Sequence, residues 1–301
     1  MEFNNQQTAL LRTLLYSDIF DFPLTEEELW LDIMSGKKIN KDSIKKTIKS
    51  LSKFISCKDG FICLSGKEKI INKRKDRIEI AQKKIKIAVS VAKYLSYIPT
   101  ILFIGITGRL SHIDADRDDD IDIFIITKKN TIWATRLILL AVLELLKVRR
   151  VRNDTDPRDK ICPNLIIEES ALVWPAEKRD LYTAHEIIHI LPLFVRNNIY
   201  QKFLAKNEWI NRFYPNREGK YHQESYVKKP KSYITIKIIS FFLTLPLFEY
   251  IFDKLQRIHM KKRTNEVVLS NFLAFHPYDY RRKTLHTFAS KVKKYGLLTN
   301  I

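Results

Sequence analysis

Residues 101–127 hold two apolar runs joined by a glycine turn and a dense acidic loop, and few local structures can satisfy that pattern. Residues 101–106 are apolar, follow Pro99 and end before Gly108, which reads as a buried strand. Six aspartates then fall within the nine residues Asp114 to Asp122, in a chain that is otherwise strongly basic. The last two, Asp120 and Asp122, alternate with Ile121 and Ile123 at the start of a second apolar run, 120–127. On a strand this alternation turns both carboxylates to one face and the isoleucines to the other. Two carboxylates so spaced on a rigid strand can hold one or two divalent cations, and a nearby glycine turn can cradle the phosphates those cations bind. Asp114, Asp116, Asp118 and Asp119 exceed what metals need and read as loop and capping residues; the competing reading is a solvated acidic loop. A calcium EF-loop is excluded, because counting from Asp114 puts Asp119 rather than Gly at position six and Ile125 rather than Glu at position twelve.

Composition narrows the partners. The chain has 301 residues, enough for two domains, and its 45% hydrophobic content argues against global disorder. A formal net charge of +19 suits a polyanionic partner, nucleic acid above all; the alternative is a lysine-rich compositional bias without function. Cys57, Cys63 and Cys162 have no metal-site or disulfide-framework spacing, and the N-terminus has neither a basic start nor an apolar signal core, so a reduced cytoplasm is expected. The apolar runs 132–146 and 238–248 are short of the ~20 residues a membrane span needs and are expected as buried helices.

The expected fold is α+β. Residues 1–66 read as three helices and a hairpin: Leu10, Leu11, Leu14 and Leu15 mark one helix face, Thr25-Glu-Glu-Glu is a capping box, and Asp42 is expected to cap a helix from Ser43 to Ser52. Asp59-Gly60 marks the hairpin turn. This order resembles a winged helix-turn-helix whose third helix meets nucleic acid; the competing role is protein interaction or packing. Residues 67–98 form a basic linking helix, 99–178 a central mixed-sheet domain, and 179–301 a helical C-terminal region that includes helices over 233–263 and 264–274. Leu165–Ile167 reads as a short strand ending at Glu168.

Strand, Thr107-Gly108-Arg109, Asp120-Ile121-Asp122 strand, helix, and a later strand with a carboxylate resemble the nucleotidyltransferase superfamily, the DNA polymerase beta-like palm, over about residues 100–170. The whole chain is similar to uncharacterised microbial nucleotidyltransferase-domain proteins that share the Asp180–Glu186 and Phe275–Pro277 stretches. The resemblance implies an Mg²⁺-dependent enzyme, with Mn²⁺ as a substitute, that moves a nucleoside monophosphate from an NTP to a hydroxyl. Pyrophosphate is released; the basic charge favours RNA, ahead of DNA, as the acceptor or ligand, and a protein or small-molecule acceptor stays open. The resemblance also implies Asp120 and Asp122 as ligands of two ions about 3.5–4 Å apart, Thr107, Gly108 and Arg109 at the nucleotide, and Glu168 as the third carboxylate. The family carries a small residue where Arg109 stands, so Arg109 either binds phosphate bidentately or fills the pocket. An inactive domain on a nucleic-acid-binding regulator is the alternative.

A rival motif is His185-Glu-Ile-Ile-His189, a literal HExxH with Glu208 downstream, which resembles gluzincin metallopeptidases over these residues alone. Pro192 ends the helix just beyond it, which favours a structural helix, with a role for His185 or Glu186 beside the nucleotide as a further option. His276-Pro277 with Tyr278, Tyr280, Arg281 and Arg282 could hold single-stranded nucleic acid or form a packing turn.

Overall fold

The computed structural model describes residues 3–151, 154–221, 224–228, 230, 243–260, 266–275 and 280–297. The chain is mixed α/β with a mixed central sheet. Its N-terminal part contains helices α1 (Asn5–Ser17), α2 (Glu26–Leu31) and α3 (Lys41–Ser50). Strands β1 (Leu24–Thr25), β2 (Ile55–Lys58) and β3 (Phe61–Leu64) make a small antiparallel sheet in the order β1-β3-β2. Thr25 and Glu28 form the expected capping box at α2. The cap of α3 is Asn40 rather than Asp42: its side chain accepts from the Asp42 amide at 2.9 Å, which starts the helix two residues earlier than expected. The β2–β3 turn takes positive φ at both Asp59 and Gly60, as a two-residue hairpin requires.

Helix α4 (Lys69–Leu95) leads to the second sheet. Strands β4 (Ile101–Ile106) and β5 (Ile121–Thr127) pair antiparallel, and helix α5 (Ile132–Leu145) carries the chain to β6 (Ile161–Glu168), parallel to β5. The region expected to be helical contributes the rest. Strand β7 (Leu191–Val195) pairs with β4, β9 (Phe272–Ala274) pairs with β6, and β8 (Val267–Val268) closes the edge. The sheet order is β7-β4-β5-β6-β9-β8. The helix expected over 264–274 is therefore corrected to a β8–β9 strand pair within its described part. Short apolar runs do not distinguish buried strand from buried helix, and sheet pairing decided it here. The remaining helices are α6 (Leu181–Ile188), α7 (Ile199–Lys206), α8 (Pro246–His259) and α9 (Tyr280–Lys294). Much of the run 238–248 and the His276-Pro277 turn lie outside the described residues. Among the described residues no helix is long and apolar enough to cross a membrane.

Alternation along β5 divides the core. Ile121, Ile123 and Ile125 pack with α4 and α5 residues such as Ala88, Leu95, Trp133 and Leu139. Phe124 and Ile126 pack in a second cluster that takes in the N-terminal helices and Leu181, Phe203 and Phe288. Asp122 shares the parity of Phe124, so it is turned toward this second side, where α1 and α6 lie.

Candidate functional site

Asp120 immediately precedes β5 and Asp122 is its second residue. Their carboxylates and the Cys162 thiol of β6 each offer one ligand atom, and these atoms lie within 4.8 Å of one another. Parallel pairing sets Asp122 level with Cys162. The glycine turn stands against the same carboxylate. Gly108 has φ 64 and ψ −153, and a Cβ at this position would meet Asp122 Oδ2 at 3.3 Å. The Thr107 amide donates to the Asp122 carbonyl at 3.1 Å, which joins the end of β4 to β5. Thr107, Gly108, Arg109 and Asp122 all line one cavity of about 990 Å³, together with Asn164, Tyr182, Glu186 and Arg281. That volume is at the upper end of ordinary ligand pockets.

The acid groups here hold protons more tightly than usual. Burial, then the charges of Asp120 and Glu186, push the Asp122 carboxyl up to about 8. Burial pushes Glu186 up to about 7. Burial also raises Asp120, against the pull of Arg150, whose Nε lies 3.2 Å from Asp120 Oδ2. The Cys162 thiol is raised by burial and by both aspartates, so it stays protonated and hydrogen-bonds to Asp122. Carboxylates crowded with too little positive charge fit a hard divalent cation, which oxygen ligands prefer and a protonated thiol does not. Asp120 and Asp122 are the residues that can hold Mg²⁺, with Glu186 beside them.

Arg109 is engaged by the carboxylates of the acidic loop. Its Nε lies 2.6 Å from Asp114 Oδ2, and its Nη1 bonds Asp116 and lies 3.5 Å from Asp119 Oδ2. It cross-links the acidic loop while still lining the cavity. Helix α4 supplies the other counter-charges. Buried Arg74 donates to the carbonyls of His112 at 3.0 Å and Ile113 at 2.9 Å and ion-pairs with Asp114 at 3.3 Å. Arg77 pairs with Asp116 at 3.2 Å. Lys84 Nζ reaches the carbonyls of Arg117 at 3.0 Å and Asp119 at 2.7 Å and the Asp159 carboxylate at 2.8 Å. The acidic run is thus a loop laced to a basic helix, not a solvated strip.

Glu168 is not brought to the aspartate pair. It is level with Thr127, at the opposite end of β5 from Asp122. Its Oε1 accepts from the Thr131 amide at 3.2 Å and its Oε2 from Ser170 Oγ at 3.0 Å, at the start of α5. Glu249 of α8 caps the same helix end, accepting from the amides of Trp133 at 2.7 Å and Ala134 at 3.0 Å. This is a helix-terminus role, where carboxylates complement the dipole. The expected strand was the C-terminal part of a longer one, which displaced the third carboxylate by several residues. The carboxylate at the pair is Glu186, whose only local signal was its place in the HExxH motif.

That motif lies on α6, capped by Asp180, whose Oδ1 accepts from the Thr183 amide at 2.9 Å. The helix ends at Ile188, and Pro192 sits in β7 beyond it. His185 and His189 meet His112 of the turn after Gly108, with ligand nitrogens within 4.8 Å of one another. Glu208, the residue expected as a third ligand in a peptidase, is exposed and outside this group. Burial, followed by the neighbouring imidazoles, lowers His112 and His185, and burial lowers His189. All three are neutral at physiological pH. No family model, curated protein or solved structure matches the chain.

Proposed function

We propose that the chain is an Mg²⁺-dependent nucleotidyltransferase that moves a nucleoside monophosphate from an NTP to a hydroxyl on RNA or another nucleic acid. The observation that carries this reading is the contact between the glycine turn and the aspartate pair: Asp122 Oδ2 lies 3.3 Å from where a Gly108 Cβ would stand, inside a cavity of about 990 Å³. Phosphoryl-type transfer asks for positioning and charge neutralisation more than for covalent help. Asp120 and Asp122 would hold the ions, which would neutralise the triphosphate and lower the proton affinity of the acceptor hydroxyl. The absent side chain at Gly108 lets the backbone approach the β- and γ-phosphates. Glu186, held near neutrality at about 7, accepts the hydroxyl proton. The acceptor oxygen bonds to the α-phosphorus, the bond from that phosphorus to the bridging oxygen breaks, and pyrophosphate leaves. The N-terminal unit is a winged helix in this reading, with Lys45, Lys46 and Lys49 of α3 exposed toward nucleic acid.

The test is incubation with labelled NTPs, Mg²⁺ and total RNA beside an Asp120→Ala/Asp122→Ala variant. Transfer that the variant loses supports the enzyme. One observation favours a second reading, a nucleic-acid-binding regulator with an inactive domain: Arg150 pairs with Asp120, and β6 offers Cys162 and Asn164 beside the pair rather than a carboxylate. Nucleic-acid binding without transfer from any NTP selects it.

A further inference from the structure

We propose that His112, His185 and His189 bind one transition-metal ion of the zinc class, at a site separate from the Asp120–Asp122 pair. The three residues come from two pieces of chain: the turn that follows Gly108, and the last turn of α6 with its C-cap, where His185 and His189 stand four residues apart. Their ring centroids are 3.9 Å apart for His112 and His189, 4.7 Å for His185 and His189, and 4.8 Å for His112 and His185. Nitrogens bound at about 2.0–2.1 Å around a tetrahedral ion stand roughly 3.3–3.4 Å apart. Nitrogens already within 4.8 Å reach that spacing by small side-chain rotations. Neutral imidazoles select zinc, copper or nickel over magnesium, which prefers the carboxylates across the cavity.

Two further observations point to an ion. His189 Nε2 lies 3.1 Å from Asp32 Oδ2, and Asp32 is itself held by Arg217 Nε at 2.7 Å, with both carboxylate and imidazole buried. A carboxylate beside the imidazole is the arrangement that orients a ligating histidine. The rings of His112 and His185 make no hydrogen bond among the described residues and both line the cavity, so a fourth coordination position opens toward it. Glu186, which stands between the two histidines in the motif, lines the same cavity and raises the proton affinity of Asp122. The ion therefore fastens the turn carrying Gly108 to the helix carrying Glu186.

The test uses the full chain without a histidine tag, stripped with chelator and then given Zn²⁺ alone. One equivalent of zinc is expected, and Co²⁺ in its place gives the visible absorption of a tetrahedral site. Asp32→Asn weakens zinc binding on the order of 10–100-fold, as loss of an outer-shell partner does. His112→Gln with His185→Gln abolishes it, while Asp120→Asn/Asp122→Asn retains it. X-ray absorption at the zinc edge of the unaltered protein counts imidazole ligands and needs no variant to fold. Absence of stoichiometric zinc, zinc that survives the double histidine variant, or an edge spectrum without imidazole scattering overturns the proposal. None of these readouts involves an NTP, so nucleotidyl transfer can fail while the zinc site stands, and the reverse.

Discussion

Arg74 Nη1 lies 3.3 Å from Asp114 Oδ1, and both side chains are almost wholly buried, at 2% and 1% exposure. The guanidinium also faces the Phe22 ring at 3.8 Å and pairs with Glu28, so one side chain joins the acidic loop, α4 and the N-terminal unit. Removing Arg74 leaves Asp114 with Arg109 as its counter-charge but strands the buried carbonyls of His112 and Ile113. Arg74→Met is expected to lower unfolding stability by about 1–3 kcal/mol. Urea unfolding checks this, with a lower midpoint at unchanged slope.

Gly108→Ala tests the turn. Its φ of 64 with ψ of −153 is a backbone region that glycine alone occupies readily. The added carbon also presses on Asp122 Oδ2. A stability loss of about 1–3 kcal/mol is expected, along with weaker Mn²⁺ binding seen by electron paramagnetic resonance. Wild-type metal affinity in this variant removes the turn from the site.

The raised carboxyls set a pH dependence. Folding shifts Asp122 from 3.8 to about 8 and Glu186 from 4.5 to about 7. The folded state binds these protons where the unfolded chain has released them, so stability falls as pH rises between the two values. In chelator, thermal unfolding midpoints should drop from pH 7 to pH 8 and then level off; below pH 7 the three histidines, whose proton affinity burial lowers, add a slope of the opposite sign. Asp122→Asn should flatten most of the slope. A wild-type slope that rises from pH 7 to pH 8 refutes the assignment.

Two glutamates should behave oppositely. Glu168→Gln weakens a helix-end interaction and costs about 0.5–2 kcal/mol, with transfer activity retained in the folded fraction. Glu186→Gln should keep substrate binding and lose turnover by about 10²–10⁴-fold. Steady-state kinetics on both variants separates them, and full activity in Glu186→Gln sinks its role as proton acceptor.

The exposed face of α3 carries the nucleic-acid prediction. Replacing Lys45, Lys46 and Lys49 by Glu should weaken RNA binding uniformly across sequences. The slope of log affinity against log salt should also become shallower, by about one for each of these lysines that neutralises a phosphate. Filter binding over a salt series checks both, and an unchanged slope takes α3 out of the interface.

The aspartate pair and the glycine turn were legible because both are local: period-two alternation identifies a strand face, and a glycine before it marks the turn. The hairpin at Asp59-Gly60 was legible for the same reason. Glu168 was misplaced because parallel pairing of β5 with β6 is set by packing across α5, which no spacing in the sequence encodes. Strand β7 stayed hidden because Ile190-Leu-Pro-Leu-Phe-Val195 has no alternation and carries a proline. The three histidines converge through tertiary packing alone, since His112 and α6 are far apart along the chain.

The placement of β7 and β9 has a consequence for how the molecule is made. Strands β4 to β6 emerge early from the ribosome, yet the partners that seal β4 and β6 arrive only with residues 191–195 and 272–274. Until then both apolar strands present open backbone edges, which invite pairing with other chains. Completion of the sheet depends on closing long loops, a slow event. The nascent chain is therefore most vulnerable to aggregation between completion of β6 and arrival of β7, when both edges are open, and the β6 edge stays open until β9 is made.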